Sequence, residues 1–218
     1  MMNVELARFN MVEQQIRPWD VLDDRVLSAI LNTPREFFVP ETASALAFTD
    51  VEIPIAHNEV MMAPKIEARL LQALGVQEDD IALEVGTGSA YVTALLAQLA
   101  KQVHSVDIYA DFTAEARDKL AQRDIQNVTL ETGDASKGWS EHGPYDAIFV
   151  SGSLPELPQS FQNSLKIGGR LVAIVGQAPI MEAVVITRTG ENSWGEESLF
   201  ETVLPALRNA VAPVSFDF

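Results

Sequence analysis

From about residue 78 onward, short apolar runs alternate with amphipathic runs, and this alternation limits the possible folds more than any other feature of the chain. The apolar runs have the length of buried strands, while Phe112, Ala116 and Leu120 recur at helical spacing. Strands that alternate with helices form a mostly parallel sheet with helices on both faces, so the predicted fold class is α/β. Seven strands are predicted, at residues 81–85, 103–106, 128–130, 147–150, 171–175, 183–186 and about 198–204.

Residues 1–75 follow a different pattern and predict an N-terminal extension of helices and loop. Asp23 and Asp24 precede Val26, Leu27, Ile30 and Leu31, a spacing that places the apolar side chains on one helical face. Residues 37–64 lack a clear period and predict a long functional loop with at most short strands. A helix is then expected from Pro64 to Gly75. We expect this extension to pack on a compact core formed by residues 76–218.

Composition excludes several classes of protein. The 218 residues carry a formal net charge of −16 and contain no cysteine. The negative field opposes binding to nucleic acid or to anionic membranes, and the lack of cysteine excludes disulfides and thiolate chemistry. The first 18 residues include charged side chains and predict no signal peptide. We therefore expect a cytoplasmic protein without an obligate partner.

The run Leu83-Glu84-Val85-Gly86-Thr87-Gly88-Ser89-Ala90-Tyr91 lies where a predicted strand passes into a helix. Two glycines allow a tight turn and a close approach of backbone to ligand, and the helix start presents free N–H groups. Asp107 follows Gly88 by 19 residues, at the end of the next strand. An acidic residue about 20 positions on is the usual acceptor for ribose hydroxyls. The pattern indicates an adenosine-type cofactor at the carboxyl ends of the strands.

Two positions in this run indicate which cofactor it is. A dinucleotide fingerprint has a third glycine where this chain has Tyr91. Glu84, two residues before the first glycine, is typical of S-adenosylmethionine (SAM) methyltransferases, in which a carboxylate can meet the cationic methionine end. The alternative is that Gly-x-Gly makes only a tight turn between strand and helix; Glu84, Asp107 and Asp134, each at a strand end, argue against it.

Along almost its whole length the chain resembles the protein-L-isoaspartate O-methyltransferases. The resemblance is carried by an ordered set of segments, which is more specific than any one motif. They are Pro34–Pro40, Ala47–Asp50, Ile53–Ile55, Leu83–Tyr91, Gly133–Trp139, Pro144–Ile148, Leu165–Val172 and Val203–Pro205.

This resemblance implies a Rossmann-like SAM-dependent methyltransferase fold and methyl transfer to an isoaspartyl carboxylate, a protein repair reaction. It implies that Gly86, Thr87 and Gly88 cradle the cofactor, that Asp107 holds the ribose, and that Asp134 and Ala135 flank the adenine. A carboxylate is ionised at pH 7 and can attack the methyl group without a general base, so no catalytic side chain is predicted. The full predicted cofactor site is Glu84, Gly86, Thr87, Gly88, Ser89, Tyr91, Asp107, Ile108, Gly133, Asp134 and Ala135.

The chain departs from the family in one loop, which normally reads Thr-Ile-Ser-Gln-Pro and here reads Val60-Met61-Met62-Ala63-Pro64. Met62 replaces a serine whose hydroxyl is implicated in substrate binding, and methionine offers only a weak sulfur acceptor. Three interpretations stay open: isoaspartyl methyl transfer on a damaged protein or peptide, methylation of a different and more apolar acceptor, or SAM binding without catalysis. The predicted substrate-binding residues are His57, Val60, Met61, Met62 and Ser151.

The remaining polar residues give weaker signals. The three histidines, His57, His104 and His142, are scattered along the chain, and with no cysteine present they predict no metal site. Asp146 opens the fourth predicted strand, at the end away from the cofactor, and is interpreted as structural. Trp139 is interpreted as a packed aromatic near the adenine end of the cofactor.

Overall fold

The computed structural model describes residues 3–211, which form a seven-stranded sheet with helices on both faces. The helices are α1 Val4–Met11, α2 Asp24–Asn32, α3 Arg35–Phe38, α4 Pro64–Leu74, α5 Tyr91–Leu99, α6 Ala110–Ala121 and α7 Gln159–Asn163. The strands are β1 Ile53–Pro54, β2 Val60–Met61, β3 Ile81–Val85, β4 Gln102–Asp107, β5 Val128–Thr132, β6 Tyr145–Leu154, β7 Leu165–Gln177, β8 Ile180–Gly190 and β9 Ser193–Glu201.

The large sheet has the strand order β5-β4-β3-β6-β7-β8-β9. The first five strands in this order are parallel, and β8 and β9 are antiparallel to their neighbours. The chain leaves β3 toward β4 on one side and later returns to β6 on the other, so the order reverses between β3 and β6. Ligands of open α/β sheets bind outside the carboxyl ends of the strands at such a switch point.

The seven predicted strands are confirmed, but several are longer than predicted, and the last, expected at about residues 198–204, runs from Ser193 to Glu201. β7 begins at Leu165, six residues before the apolar run that predicted it. The pairing of β6 with β7 shifts in register between Tyr145, which pairs with Leu165, and Ala147, which pairs with Arg170. Gly168 and Gly169 lie in β7 at this irregularity. The apolar pattern marks only the segment that is buried on both faces, which explains the short prediction.

The N-terminal extension also follows its predicted pattern. Asp23 caps α2 by accepting a hydrogen bond from the Arg25 backbone N–H at 2.8 Å. The long loop contains only short helical turns and the two-residue strands β1 and β2, which pair antiparallel. Helix α4 starts with Pro64 and ends at Gly75, whose left-handed φ of 63° suits a glycine C-cap. The short loop strands and α4 together bring Met61 and Met62 toward the sheet.

The core lies on both faces of the sheet. On one face, helices α2 and α4 of the N-terminal extension share a single apolar cluster with α5 and α6 of the core. On the other face, a smaller cluster is closed by Phe161 of α7 and by Leu154. Leu70 and Leu71 of α4 are almost fully buried, and truncation of such side chains to alanine costs about 2–5 kcal/mol. The extension therefore contributes to the main core, and the boundary at residue 75 stays a prediction.

The structural interpretation of Asp146 is confirmed, and Trp139 is packed as expected, while its place near the adenine stays a prediction. The Asp146 carboxylate accepts hydrogen bonds from the Ile81 backbone N–H at 2.8 Å and from Lys166 Nζ at 2.7 Å, which is a structural role between strands. The Trp139 ring packs on Gly133, at the end of β5. Within residues 3–211, no helix combines the length and apolar character that crossing a membrane requires.

Candidate active site

A cleft of about 850 Å³ opens at the switch point between β3 and β6. Its floor is the turn that follows β3, and its walls come from the ends of β4, β5 and β6, from the loop around β2, and from the C-terminal segment 204–208. Parallel strands place their carboxyl ends at one edge, so side chains that are far apart in sequence meet here.

The glycine turn gives the floor its shape. Gly86 and Gly88 have φ of 96° and 48°, both in the left-handed region. A Cβ on Gly86 would lie 3.3 Å from the Ser151 Cβ, so a larger residue would narrow the cleft. Ala90, just before α5, also adopts a left-handed φ of 68°. The turn thus leaves backbone atoms exposed to a ligand, as the motif predicts.

Glu84 is fully buried at the bottom of the cleft. Its Oε2 accepts hydrogen bonds from Ser105 Oγ at 2.6 Å and from Thr93 Oγ1 at 2.5 Å. Its Oε1 has no partner among the described residues and borders the cleft. Burial raises the pKa of Glu84 to about 8, a shift that Ser105, Thr93 and the neighbouring Ser151 oppose and that nearby Asp107 adds to. An unpartnered carboxylate oxygen at this depth fits a cationic group on the ligand.

Asp107 connects the end of β4 to the glycine turn. Its Oδ2 accepts a hydrogen bond from the Gly88 backbone N–H at 2.9 Å, and its Oδ1 accepts one from the Tyr109 N–H at 2.9 Å. Burial raises the pKa of Asp107, and the two backbone donors counteract this effect. The side chain is 6% exposed and still has free lone pairs toward the cleft. A ribose hydroxyl group could therefore bind here.

The far wall of the cleft is formed after β5 by Gly133, Asp134 and Ala135. Asp134 Oδ1 accepts from the Ser136 backbone N–H at 3.0 Å, and its Oδ2 accepts from Asn209 Nδ2 at 2.9 Å. The Ser136 hydrogen bonds are the main reason that the pKa of Asp134 is lowered. Asp134 is thus held as a carboxylate that ties this wall to the C-terminal segment.

The opposite wall comes from the loop around β2 and contains Val60, Met61 and Met62. Met61 and Met62 are 4% and 3% exposed, so their side chains are packed and also border the cleft. Ser151 lies at the end of β6 in a segment with an irregular register, and its Oγ has no partner among the described residues. The structure therefore brings these four predicted substrate residues to the lining of the cleft.

Arg208 closes the cleft beside this wall. Its Nε donates to Glu59 Oε1 at 2.5 Å, and its Nη2 donates to the His57 carbonyl oxygen at 3.0 Å. The Leu207 backbone N–H donates to the Ser153 carbonyl oxygen at 2.9 Å, which fixes the segment to β6. Among the described residues that line the cleft, Arg208 alone has a positively charged side chain.

Two predicted site residues lie elsewhere. The Tyr91 ring is buried against Phe38, and the Arg35 guanidinium lies 4.7 Å from its centroid, so Tyr91 faces the N-terminal extension and does not border the cleft. His57 lies on the outer rim, where its ring stacks on Tyr109 with centroids 3.9 Å apart and its Nε2 pairs with Asp111 at 2.7 Å. The prediction placed Tyr91 by sequence adjacency, but side chains on successive helix positions point in different directions.

The sequence interpretation missed the residues contributed from a distance, chiefly Arg208, Glu59 and Glu67. Arg208 is separated from Glu59 by 149 residues. Its position three residues after the Val203–Pro205 segment was the available signal, because that segment belonged to the resemblance. The charged side chains bordering the cleft are otherwise acidic, which favours a cationic ligand.

Comparison with known proteins decides the family. The family model for protein-L-isoaspartate(D-aspartate) O-methyltransferase matches residues 7–204. The chain belongs to this family. It is 41% identical over 185 residues to the protein-L-isoaspartate O-methyltransferase of Syntrophus aciditrophicus, a match that covers 85% of both chains. It is 41% identical over 190 residues to that of Rhodopseudomonas palustris, with 87% of both chains covered.

Solved structures agree on the fold. A protein-L-isoaspartate O-methyltransferase matches with a TM-score of 0.80 at 21% identity, covering 95% of this chain and 67% of the other. A Plasmodium falciparum structure, described as a protein-L-isoaspartate O-methyltransferase in complex with S-adenosyl-L-homocysteine, matches with a TM-score of 0.79 at 20% identity. The match covers 95% of this chain and 99% of the other. The protein is therefore a SAM-dependent methyltransferase of the protein-L-isoaspartate O-methyltransferase family, with the Rossmann-like fold that the resemblance implied.

Proposed function

We propose that this methyltransferase transfers the methyl group of SAM to the free carboxylate of isoaspartyl residues in damaged proteins or peptides. The family match over residues 7–204 carries this proposal. The cleft supports it, because it combines a deep acidic end that suits the cationic cofactor with an outer end where Arg208 faces a possible anionic acceptor.

The residues at the deep end fit the cofactor. The unpartnered Oε1 of Glu84 would accept a hydrogen bond from the ammonium of the methionine part, and backbone groups of the Gly86–Gly88 turn would lie against it. Asp107 would accept from the ribose hydroxyls, with Ile108 beside it. The adenine would lie along Gly133, Asp134 and Ala135. Thr87 would position the turn, since its Oγ1 hydrogen bonds to Ser105 Oγ at 2.6 Å, and Ser89 borders the cleft.

When bound, SAM supplies an electrophilic methyl group for in-line attack by an acceptor oxygen. The acceptor carboxylate is already ionised at neutral pH, so this chain needs no general base and its task is to position the substrate and exclude water. Met61, Met62 and Val60 would exclude water from the reacting oxygen. Arg208 would orient the carboxylate through charge-assisted hydrogen bonds and would thereby replace the hydroxyl that Met62 lacks.

The two other interpretations are less well supported. An apolar acceptor would suit the methionine wall, but it would offer no group for the Arg208 charge to bind, and the relatives at about 40% identity do not favour it. Binding without catalysis would be expected of a blocked cleft, whereas this cleft is open from Glu84 to Arg208.

The test is methyl transfer from labelled SAM to an isoaspartyl peptide, with the same peptide containing ordinary aspartate as the matched control. Calorimetric titration with S-adenosyl-L-homocysteine on the same preparation reports cofactor binding separately. We expect binding, turnover of the isoaspartyl peptide and none of the control peptide. Binding of S-adenosyl-L-homocysteine without turnover of the isoaspartyl peptide would refute the isoaspartyl carboxylate as the methyl acceptor. Lack of S-adenosyl-L-homocysteine binding would refute SAM as the cofactor.

A further inference from the structure

Two of the three histidines meet on the sheet face behind the adenine wall. His104 lies on β4, and His142 lies in the loop that connects β5 to β6. Their rings are stacked with centroids 4.2 Å apart and an angle of 15° between planes. Sequence alone treated these histidines as unrelated, because 38 positions separate them and only the strand packing brings them together.

A carboxylate completes this cluster. Glu131 lies on β5, next to β4, where it pairs in register with Val106 and so shares the face of His104. Its Oε2 lies 3.0 Å from His142 Nε2. One ring nitrogen from each histidine and one oxygen of Glu131 all lie within 4.8 Å of one another. None of the three residues borders the cofactor cleft.

One ring nitrogen in this cluster has no other use. His104 Nδ1 is buried and has no hydrogen-bond partner among the described residues. A buried nitrogen without a partner costs free energy that a bound ion could recover. His142 is 37% exposed on its side chain, so an ion can reach the cluster from solvent. Ligand bonds of about 2.0–2.2 Å require the three atoms to approach one another somewhat more closely.

We propose that His104, Glu131 and His142 form a binding site for a divalent transition-metal ion of the Zn²⁺ class. Two imidazole nitrogens and one carboxylate oxygen are a donor set that Zn²⁺ accepts and that Mg²⁺ does not prefer. Three protein ligands leave one position for water. The ion would join β4, β5 and the loop 133–144. The Glu131 Oε2 atom that faces His142 also accepts a hydrogen bond from Trp139 Nε1 at 3.2 Å. The site would therefore brace the tryptophan that packs on Gly133.

The experiment is equilibrium dialysis of the tag-free chain against Zn²⁺ with excess Mg²⁺ present, which suppresses adventitious binding to the acidic surface. We expect one Zn²⁺ per chain. His142→Ala, His104→Ala and Glu131→Gln should each weaken binding by at least about 10-fold. His57→Ala is the matched control, because His57 is the remaining histidine of the chain and pairs with a carboxylate of its own.

A second readout guards against variants that fail to fold. Zn²⁺ should raise the melting temperature of the unmodified chain and of His57→Ala, and should leave that of His142→Ala unchanged. Equal Zn²⁺ affinity in the unmodified chain and in His142→Ala would overturn the proposal, as would full displacement of Zn²⁺ by Mg²⁺. Neither measurement involves SAM or a peptide, so the outcome is independent of the proposed enzymatic function.

Discussion

Arg35 and Glu67 form an ion pair in which both side chains are buried, at 0% and 2% exposed. Arg35 Nη2 also donates to the Met62 carbonyl oxygen at 2.6 Å. The pair thereby joins three segments: α3, the loop that carries Met62, and α4. Glu67 lies at the edge of the cleft, where burial raises its pKa to about 7 against the opposing effect of Arg35. The loop from Val60 to Pro64, which differs most from the family pattern, is thus held by Arg35 through the backbone carbonyl of Met62.

Breaking this pair should destabilise the protein and loosen the substrate wall. Arg35→Met leaves Glu67 buried without a partner, and loss of one member of a buried pair costs ~3–5 kcal/mol. Chemical denaturation should show this loss, and KM for the isoaspartyl peptide should rise. Glu67→Gln also removes one charge of the pair but keeps a hydrogen-bond acceptor for Arg35, so it should destabilise the protein less than Arg35→Met. An Arg35→Met variant with unchanged stability would contradict the assigned role.

Glu84 should link cofactor binding to proton release. With a pKa of about 8, its carboxyl is mostly protonated at pH 7 in the ligand-free protein. An ammonium group beside Oε1 favours the carboxylate, so binding should release close to one proton, and affinity should rise from about pH 6 to about pH 7.5. Calorimetry with S-adenosyl-L-homocysteine in buffers of different ionisation enthalpy measures this proton count. Glu84→Gln should bind S-adenosyl-L-homocysteine more weakly and release no proton. Equal proton release in both proteins would refute the contact between Glu84 and the ammonium group.

The same raised pKa predicts the reverse trend for the stability of the ligand-free protein. The folded state holds the Glu84 proton up to about pH 8, whereas the unfolded chain loses it near 4.5, the ordinary pKa of a glutamate side chain. The stability contributed by this group is therefore present below about pH 4.5 and is lost as pH rises toward 8. Denaturation from about pH 5 to pH 8 should show a steeper decline for the unmodified protein than for Glu84→Gln. Parallel curves would argue against the raised pKa.

Arg208 should affect the acceptor more than the cofactor. Arg208→Ala removes the one cation among the described cleft-lining residues, and a charge-assisted hydrogen bond to a carboxylate is lost with it. We expect KM for the isoaspartyl peptide to rise by about 10-fold or more, with little change in S-adenosyl-L-homocysteine affinity. Arg208→Lys should recover only part of the loss, because lysine lacks the planar fork. Unchanged peptide kinetics in Arg208→Ala would exclude Arg208 from the substrate site.

Gly133 should tolerate a side chain only if Trp139 becomes smaller. A Cβ at Gly133 would lie 2.6 Å from the Trp139 ring, so Gly133→Ala must displace this ring and the adenine wall. We expect weaker S-adenosyl-L-homocysteine binding in Gly133→Ala and partial recovery in the double variant Gly133→Ala/Trp139→Leu. A double-mutant cycle measures the coupling. Additive effects of the two changes would show that the ring is not the obstacle.

The sequence by itself determined the α/β fold, the seven strands and the glycine turn with Asp107 at the next strand end. These features depend on local chemistry, since strand burial, helical spacing and left-handed glycines can be read from neighbouring residues. Glu84, together with Tyr91 in place of a third glycine, indicated SAM as the cofactor, and the resemblance to the family added the reaction. Tyr91 shows the limit of this reasoning, because its place in the motif did not reveal which way its side chain points.

Only the tertiary structure decided which distant residues meet. Arg208 reaches the cleft because the segment after β9 folds back along β6, and Arg35 meets Glu67 although the two residues lie on different helices, α3 and α4. His104, Glu131 and His142 meet because adjacent strands align in register and the following loop returns over them. Such contacts depend on how helices and strands pack in three dimensions. The hydrophobic pattern of a segment shows which of its faces is buried, but it does not show which polar side chains of other segments will lie next to it.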